Sequence, residues 1–212
     1  MPPRRALKRV VRRRIRLDND ERRAQLLALA RKAFSDRAYD DVSIDDLASV
    51  AKISKGLLYH YFPTKRDLYV AGLREIANEL VEAVTSIPAD LAPIERARAG
   101  VDAYLEHITR HSRAFVSLMR GGIGSDPEVA EVIEGVRRRL FETFLKDVPF
   151  AAAFAGEPRF EISVRGWIGF VEGASIDWCE NPRLSRVELR ELLTQVLFEI
   201  MRAVAPTIVA KL

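Results

Sequence analysis

The chain has 212 residues and a net charge of +4, with 48% hydrophobic and 30% charged residues, a balance that suits folded domains and excludes wholesale disorder. No apolar run reaches the roughly 18 to 20 residues needed to cross a bilayer, and no apolar segment follows the basic N-terminus to make a secretory signal. With Cys179 as the only cysteine, an internal disulfide is excluded too, and the expectation is a cytoplasmic protein with no membrane partner.

The charge is unevenly spread. Residues 1–66 hold 17 Lys and Arg against 8 Asp and Glu, a surplus of +9, while the remainder carries −5. Positive charge is gathered where a phosphate backbone can use it. From Arg4 to Arg16 there are eight Arg or Lys and no acid, a block that repels itself, so residues 1–17 are expected to form a flexible basic arm. Leu7, Val10, Val11, Ile15 and Leu17 give the arm a loosely amphipathic pattern, which leaves membrane-surface binding open beside nucleic-acid binding.

Asp18 with Glu21 makes a capping box, and Leu26, Leu29, Ala30, Ala33 and Phe34 follow at helical spacing, predicting a first helix. Ser43 with Asp46 opens a short second one, with Ile44, Leu47, Ala48 and Ala51 on one face. A third starts at Ser54, so close behind that the pair reads as a helix-turn-helix within a domain of residues 18–66. Thr64 with Asp67 opens a long fourth helix, 65–85. Residues 67–212 then form a helical body. A fifth helix is expected at 94–111 and a sixth at 114–120, ended by Gly121 and Gly122. A seventh opens at Asp126–Pro127 with Val129, Val132, Ile133, Val136, Leu140 and Phe144 on its apolar face. After a loop from Pro149 to Pro158 comes an eighth helix, 160–179. The ninth opens at a Ser185–Glu188 capping box and carries Leu189, Leu192, Leu193, Val196, Ile200 and Val204. The fold class is all-α, about nine helices, with no strand pattern and no repeat.

The stretch Ile53-Ser54-Lys55-Gly56-Leu57-Leu58-Tyr59-His60-Tyr61-Phe62-Pro63-Thr64-Lys65-Arg66-Asp67-Leu68 resembles the recognition-helix signature of the TetR family of bacterial regulators. Ser43-Ile44-Asp45-Asp46-Leu47-Ala48 is similar to that family's second helix. The resemblance covers about residues 22–70 and implies a repressor that binds double-stranded DNA as a homodimer, with Ser43, Ser54, Lys55, Gly56, Leu57, Tyr59, His60, Thr64 and Lys65 as the DNA-facing positions. Physical chemistry supports several of these independently. Gly56 removes a side chain where a helix presses on DNA, Lys55 adds a cation beside it, and Tyr59, Thr64 and Lys65 can hold a phosphate near a helix N-terminus. Leu58 and Phe62 read as core. Two positions depart from the family pattern. Lys52 stands where glycine is usual, so a left-handed backbone there costs about 1 kcal/mol unless the turn differs. Leu57 replaces a small or hydroxyl residue and suits a thymine methyl.

A head this small buries little DNA surface alone, so pairing is expected, through the last two helices. Gly166, Gly169 and Gly173 make a small-residue stripe on the eighth, and either helix's stripe can instead face its own core. A mostly apolar small-molecule effector is expected in the body, lined by Tyr104, His107, Phe115, Met119, Phe141, Phe144, Trp167 and Phe170, with Trp167 the first choice. Each of these also reads as plain core. His107 and His111, at i and i+4, supply two nitrogens at metal spacing but no further ligand, so neither metal nor cofactor is expected. Glu172 and Asp177 can orient a ligand, bond across a dimer or face solvent. An enzyme lacks any nucleophile, base and orienter set here. A general DNA-compacting protein driven by the basic arm is the other alternative.

Overall fold

The computed structural model describes residues 4–88, 90–147, 154 and 156–204, the side chains of 4–18 and 147 excepted. Nine α-helices are seen among these residues: α1 Arg4–Asp36, α2 Ile44–Val50, α3 Lys55–Tyr61, α4 Lys65–Thr85, α5 Pro93–Arg110, α6 Ser112–Arg120, α7 Pro127–Asp147, α8 Pro158–Glu180 and α9 Arg186–Val204, with a 3-10 turn at Gly122–Ser125. No strand occurs among the described residues.

The local signals explain most of these boundaries. Ser43 Oγ accepts the Asp46 N–H at 3.4 Å and Ser54 Oγ that of Leu57 at 3.1 Å, each satisfying a helix-end donor. Ser185 and Glu188 exchange hydrogen bonds at the start of α9, and Asp126 Oδ1 accepts the Glu128 N–H at 3.0 Å. α1 corrects one expectation. Its helical backbone extends back to Arg4 instead of starting at Asp18. No glycine or proline interrupts 4–36, Arg, Lys, Leu and Ala all favour helix, and like-charge neighbours cost only a few tenths of a kcal/mol per pair. The Asp18 cap and the arm's apolar side chains lie outside the described residues, as does most of the Pro149–Pro158 loop.

Two compact units divide the chain, Met1–Leu73 and Arg74–Leu212. The division falls inside α4 and not at its start, because Leu68, Tyr69, Val70 and Leu73 are buried in the first unit. Tyr69 sits edge-on to Phe34 of α1, ring centroids 4.9 Å apart, and at Gly72 α4 runs beside the α1 backbone, where an added Cβ would make ordinary van der Waals contact, 3.5 Å from the Arg31 nitrogen.

In the second unit α9 lies against α5 and α8, and the core has two clusters. Phe141, Phe160, Val164, Ile168, Leu197 and Met201 form one. Val101, Tyr104, Leu105, Ile108, Val171, Leu189 and Leu193 form the other. Trp167 packs against both and donates its indole N–H to the Leu193 carbonyl at 3.0 Å, tying α8 to α9. Ion pairs flank the clusters: Arg98 with Glu191 at 3.0 Å, and Arg137 with Glu172 at 2.7 Å.

Candidate nucleic-acid interface

The head is a short sequence of helices whose apolar sides converge and whose polar sides remain open. Leu58 and Phe62, four apart on α3 and its C-cap, are 1% and 2% exposed, which fixes α3 against the core with Val42, Ile44, Leu47 and Ala48 of the preceding segment. What α3 then turns to solvent is its N-terminal half. Lys55, Gly56 and Leu57 are exposed, Leu57 at 38% for a side chain that gains nothing from water. A Cβ on Gly56 would meet only Ser54 Oγ at 3.9 Å, so nothing in the head itself requires glycine there. The α3 backbone at Gly56 is thus open to close approach from outside, the property a helix pressed against DNA would use.

Between α2 and α3 the turn is closed by the Ile53 N–H donating to the Ala48 carbonyl at 3.0 Å. Lys52 has φ +54°, the left-handed conformation that the sequence expectation attached to this position, so the lysine carries the cost a glycine would avoid.

The other predicted DNA positions divide. Ser43 and Ser54 are helix caps, their oxygens engaged with backbone N–H groups. Tyr59 is half-buried and His60 exposed, its ring 5.4 Å from Tyr61. Thr64 donates both its hydroxyl and its N–H to Asp67 Oδ2, at 2.9 and 3.0 Å, so neither donor is spare for a phosphate. Of the three residues read as able to hold a phosphate, Tyr59 and Lys65 are left. Lys65 Nζ rests over the Tyr39 ring, 4.4 Å from its centroid, and Tyr39 stands edge-on to Tyr69 at 5.0 Å. Burial, and then Tyr39, push the Tyr69 phenol up to about 12. Arg23 of α1 lies over Phe62 at 5.1 Å.

Sequence reasoning missed one contact. Lys55 Nζ donates to Asp45 Oδ2 at 3.0 Å, bridging the start of α3 to the first turn of α2, and this bond raises the lysine pKa above its ordinary value. The two are ten apart on different helices, and no periodicity links them.

In the body, Phe141, Phe144 and Trp167 gather round the Phe160 cluster, and Tyr104, Phe115 and Trp167 round the Leu105 cluster. Met119 is half-buried on α6. The Tyr104 hydroxyl faces Ser175 Oγ in the interior without a hydrogen bond of good geometry, and burial, then Glu172, raise its pKa. His107 is half-buried with its ring 5.1 Å from His111. Burial first, then His111 and Arg110, lower its pKa to about 4. Phe170 is the exception: it is 41% exposed on the outer face of α8 and not among the interior residues. Glu172 holds Arg137 through two nitrogens, at 2.7 and 2.9 Å, and Asp177 pairs with Arg183. No group of three or more His, Cys, Asp or Glu placed for a metal occurs among the described residues, and no described helix is long and apolar enough to cross a membrane.

A three-helix head with this tight turn and this exposed α3, joined to a helical body, defines the class of helix-turn-helix transcriptional regulators. The family models agree. Residues 26–71 match the model described as bacterial regulatory proteins, tetR family, and residues 93–200 the tetracyclin repressor-like C-terminal domain. The chain belongs to the tetR family. A crystal structure of a tetR-family transcriptional regulator from Streptomyces coelicolor is 31% identical, with a TM-score of 0.80 over 90% of this chain and 86% of that one. The HTH-type transcriptional activator FasR of Mycolicibacterium smegmatis is 34% identical over 56% of this chain and 55% of its own length. The HTH-type transcriptional regulator EthR of Mycobacterium tuberculosis is 31% identical over 67% and 63%. The chain thus spans less than two thirds of the length of these curated relatives.

Proposed function

We propose that the chain is a transcriptional repressor that binds a palindromic operator as a homodimer and is released when a small, mostly apolar molecule enters its body. It acts in the cytoplasm and is not an enzyme. The observation that carries the DNA part is the division of α3: Leu58 and Phe62 inside, Lys55, Gly56 and Leu57 outside. Lys55, Tyr59 and Lys65 engage phosphate or base edges, Leu57 packs on a thymine methyl, and the basic residues of 4–16 add phosphate contacts.

Pairing is supported by an apolar face that this chain leaves open. Ile162 at 70% and Phe170 at 41% exposure flank Gly166, Gly169 and Gly173, each with no atom within 4 Å of an added Cβ, and Leu192 of α9 is 43% exposed. The sequence stripe on α9 divides accordingly. Leu189 and Leu193, with Leu197 and Met201, are buried in the chain's own core, while Leu192 remains for a partner helix.

The effector reading is supported by α6. Its apolar residues Phe115, Leu118 and Met119 are half-buried, none fully, which leaves apolar surface for a small molecule to cover. The switch runs through α4, which begins at Lys65 and contributes Leu80 and Val84 to the body core. Recognition helices of a dimer must enter major grooves roughly 34 to 36 Å apart, so a tilt of α4 moves them out of register. A coupling of about 1 to 3 kcal/mol suffices. The relative FasR is a transcriptional activator, which favours a second reading in which DNA occupancy raises transcription, and a promoter reporter with and without the chain distinguishes the two.

Selection from a randomised pool of DNA duplexes tests the central reading. The expected product is a two-fold symmetric site bound by two chains. Uniform retention of the pool, with no enriched sequence, would establish the DNA-compacting alternative instead.

A further inference from the structure

Lys55 is the exposed cation nearest the start of α3, yet in the free head it is already engaged. Its Nζ lies 3.0 Å from Asp45 Oδ2, with the lysine side chain 49% and the aspartate 69% exposed. Asp45 belongs to the first turn of α2, so the bond spans the turn of the helix-turn-helix. A phosphate approaching this surface therefore meets a neutral pair and not a free ammonium. The surplus of positive charge in the head would otherwise favour any duplex, since phosphate contacts carry no sequence information.

We propose that Asp45 is a specificity-determining residue, holding Lys55 in reserve so that the lysine contributes to binding only where the operator presents an acceptor at the right place. The inference rests on Lys55 being a DNA contact. Its physical basis is the weakness of the bond: an exposed ion pair is easily exchanged for a well-placed acceptor, yet strong enough to compete with a poorly placed one. On arbitrary DNA, Lys55 stays with Asp45 and the neutral pair adds no attraction. On the operator, it is transferred.

The test uses the full chain, the operator recovered from the duplex selection and a scrambled duplex of equal length, with affinities measured across a salt series. Asp45→Asn should raise affinity for the scrambled duplex about twofold to fivefold and change operator affinity less, lowering the ratio between them. Lys55→Ala should leave the salt slope on scrambled DNA unchanged in the natural protein, and reduce it by about one in the Asp45→Asn background. Equal gains of Asp45→Asn on both duplexes would overturn the proposal and leave Asp45 as ordinary like-charge repulsion. So would a slope already lower by one when Lys55→Ala is made alone. If Lys55→Ala changes neither operator affinity nor any slope in either background, Lys55 is not a DNA contact and the underlying reading fails. Asp45 is exposed, so folding of the variant is not at risk, and its thermal unfolding provides the control.

Discussion

In the head, every group assigned to DNA apart from the basic residues of 4–16 falls between Ser43 and Lys65, and its placement follows from capping boxes, a tight turn and two buried residues four apart. In the body, the residues around Trp167 come from α5, α7, α8 and α9, and their grouping depends on how those helices pack. The difference teaches where function can be read locally. A helix-turn-helix is specified by neighbours in sequence, whereas a ligand-binding interior is specified by contacts between distant segments.

The comparison breaks most readily through the body core. Leu105 is 0% exposed at the centre of its cluster, and Leu105→Ala should cost about 2–5 kcal/mol of stability in denaturant unfolding of the body. DNA binding at a temperature where the variant remains folded should be retained, if the head's surface is as local as it reads. Loss of operator binding by a fully folded variant would show that the head depends on body packing.

A second, smaller effect concerns pH. His107 stays neutral in the folded body down to about pH 4, while in the unfolded chain it takes up a proton near 6.5. The unfolded state thus binds more protons between these values. The corresponding stability is whole above about pH 6.5 and is lost as pH falls toward about 4. His107→Gln removes this titration, so the variant's unfolding midpoint should fall less over that window than that of the natural protein. Identical pH profiles would place His107 in water.

The smallest effect belongs to the head. Lys52 holds φ +54°, and Lys52→Gly should stabilise the head by up to about 1 kcal/mol, with the gain reduced by the greater freedom of glycine in the unfolded chain. Clear destabilisation would mean that the lysine side chain makes a contact worth more than the strain.

These outcomes bear on how much was legible in the sequence. Helices α2 to α9, the caps of α2, α3, α4, α7 and α9 and the buried roles of Leu58 and Phe62 are readable, because each is set within a few residues, whereas the left-handed turn at Lys52 is suggested only by the family resemblance. For the first helix, the Asp18–Glu21 capping box and the like-charge block before it point to a start at Asp18, whereas the helix preference of Arg, Lys, Leu and Ala carries the backbone back to Arg4. The Lys55–Asp45 bond was not readable, because it joins two helices at a spacing that matches no period. In the body, the aromatic character of Phe170 points to the interior, but helical periodicity carries it to the outer face with Gly166 and Gly173. Leu192 was merged with Leu189 and Leu193 into one stripe that in fact faces two ways. An apolar pattern reports burial against something. It does not say whether that is the chain's own core, a ligand or a second copy.

The most direct test of the division of labour on α3 compares two variants on a randomised operator library, Leu57→Thr and Lys65→Ala. Leu57 is exposed at the reading end of the helix, so Leu57→Thr should change which base is preferred at particular positions, with the other positions unaltered. In the proposed reading Lys65 serves the phosphate backbone, so Lys65→Ala should weaken all sequences alike and reduce the salt slope by about one. An unchanged base preference for Leu57→Thr, or a sequence-dependent loss for Lys65→Ala, would contradict that division.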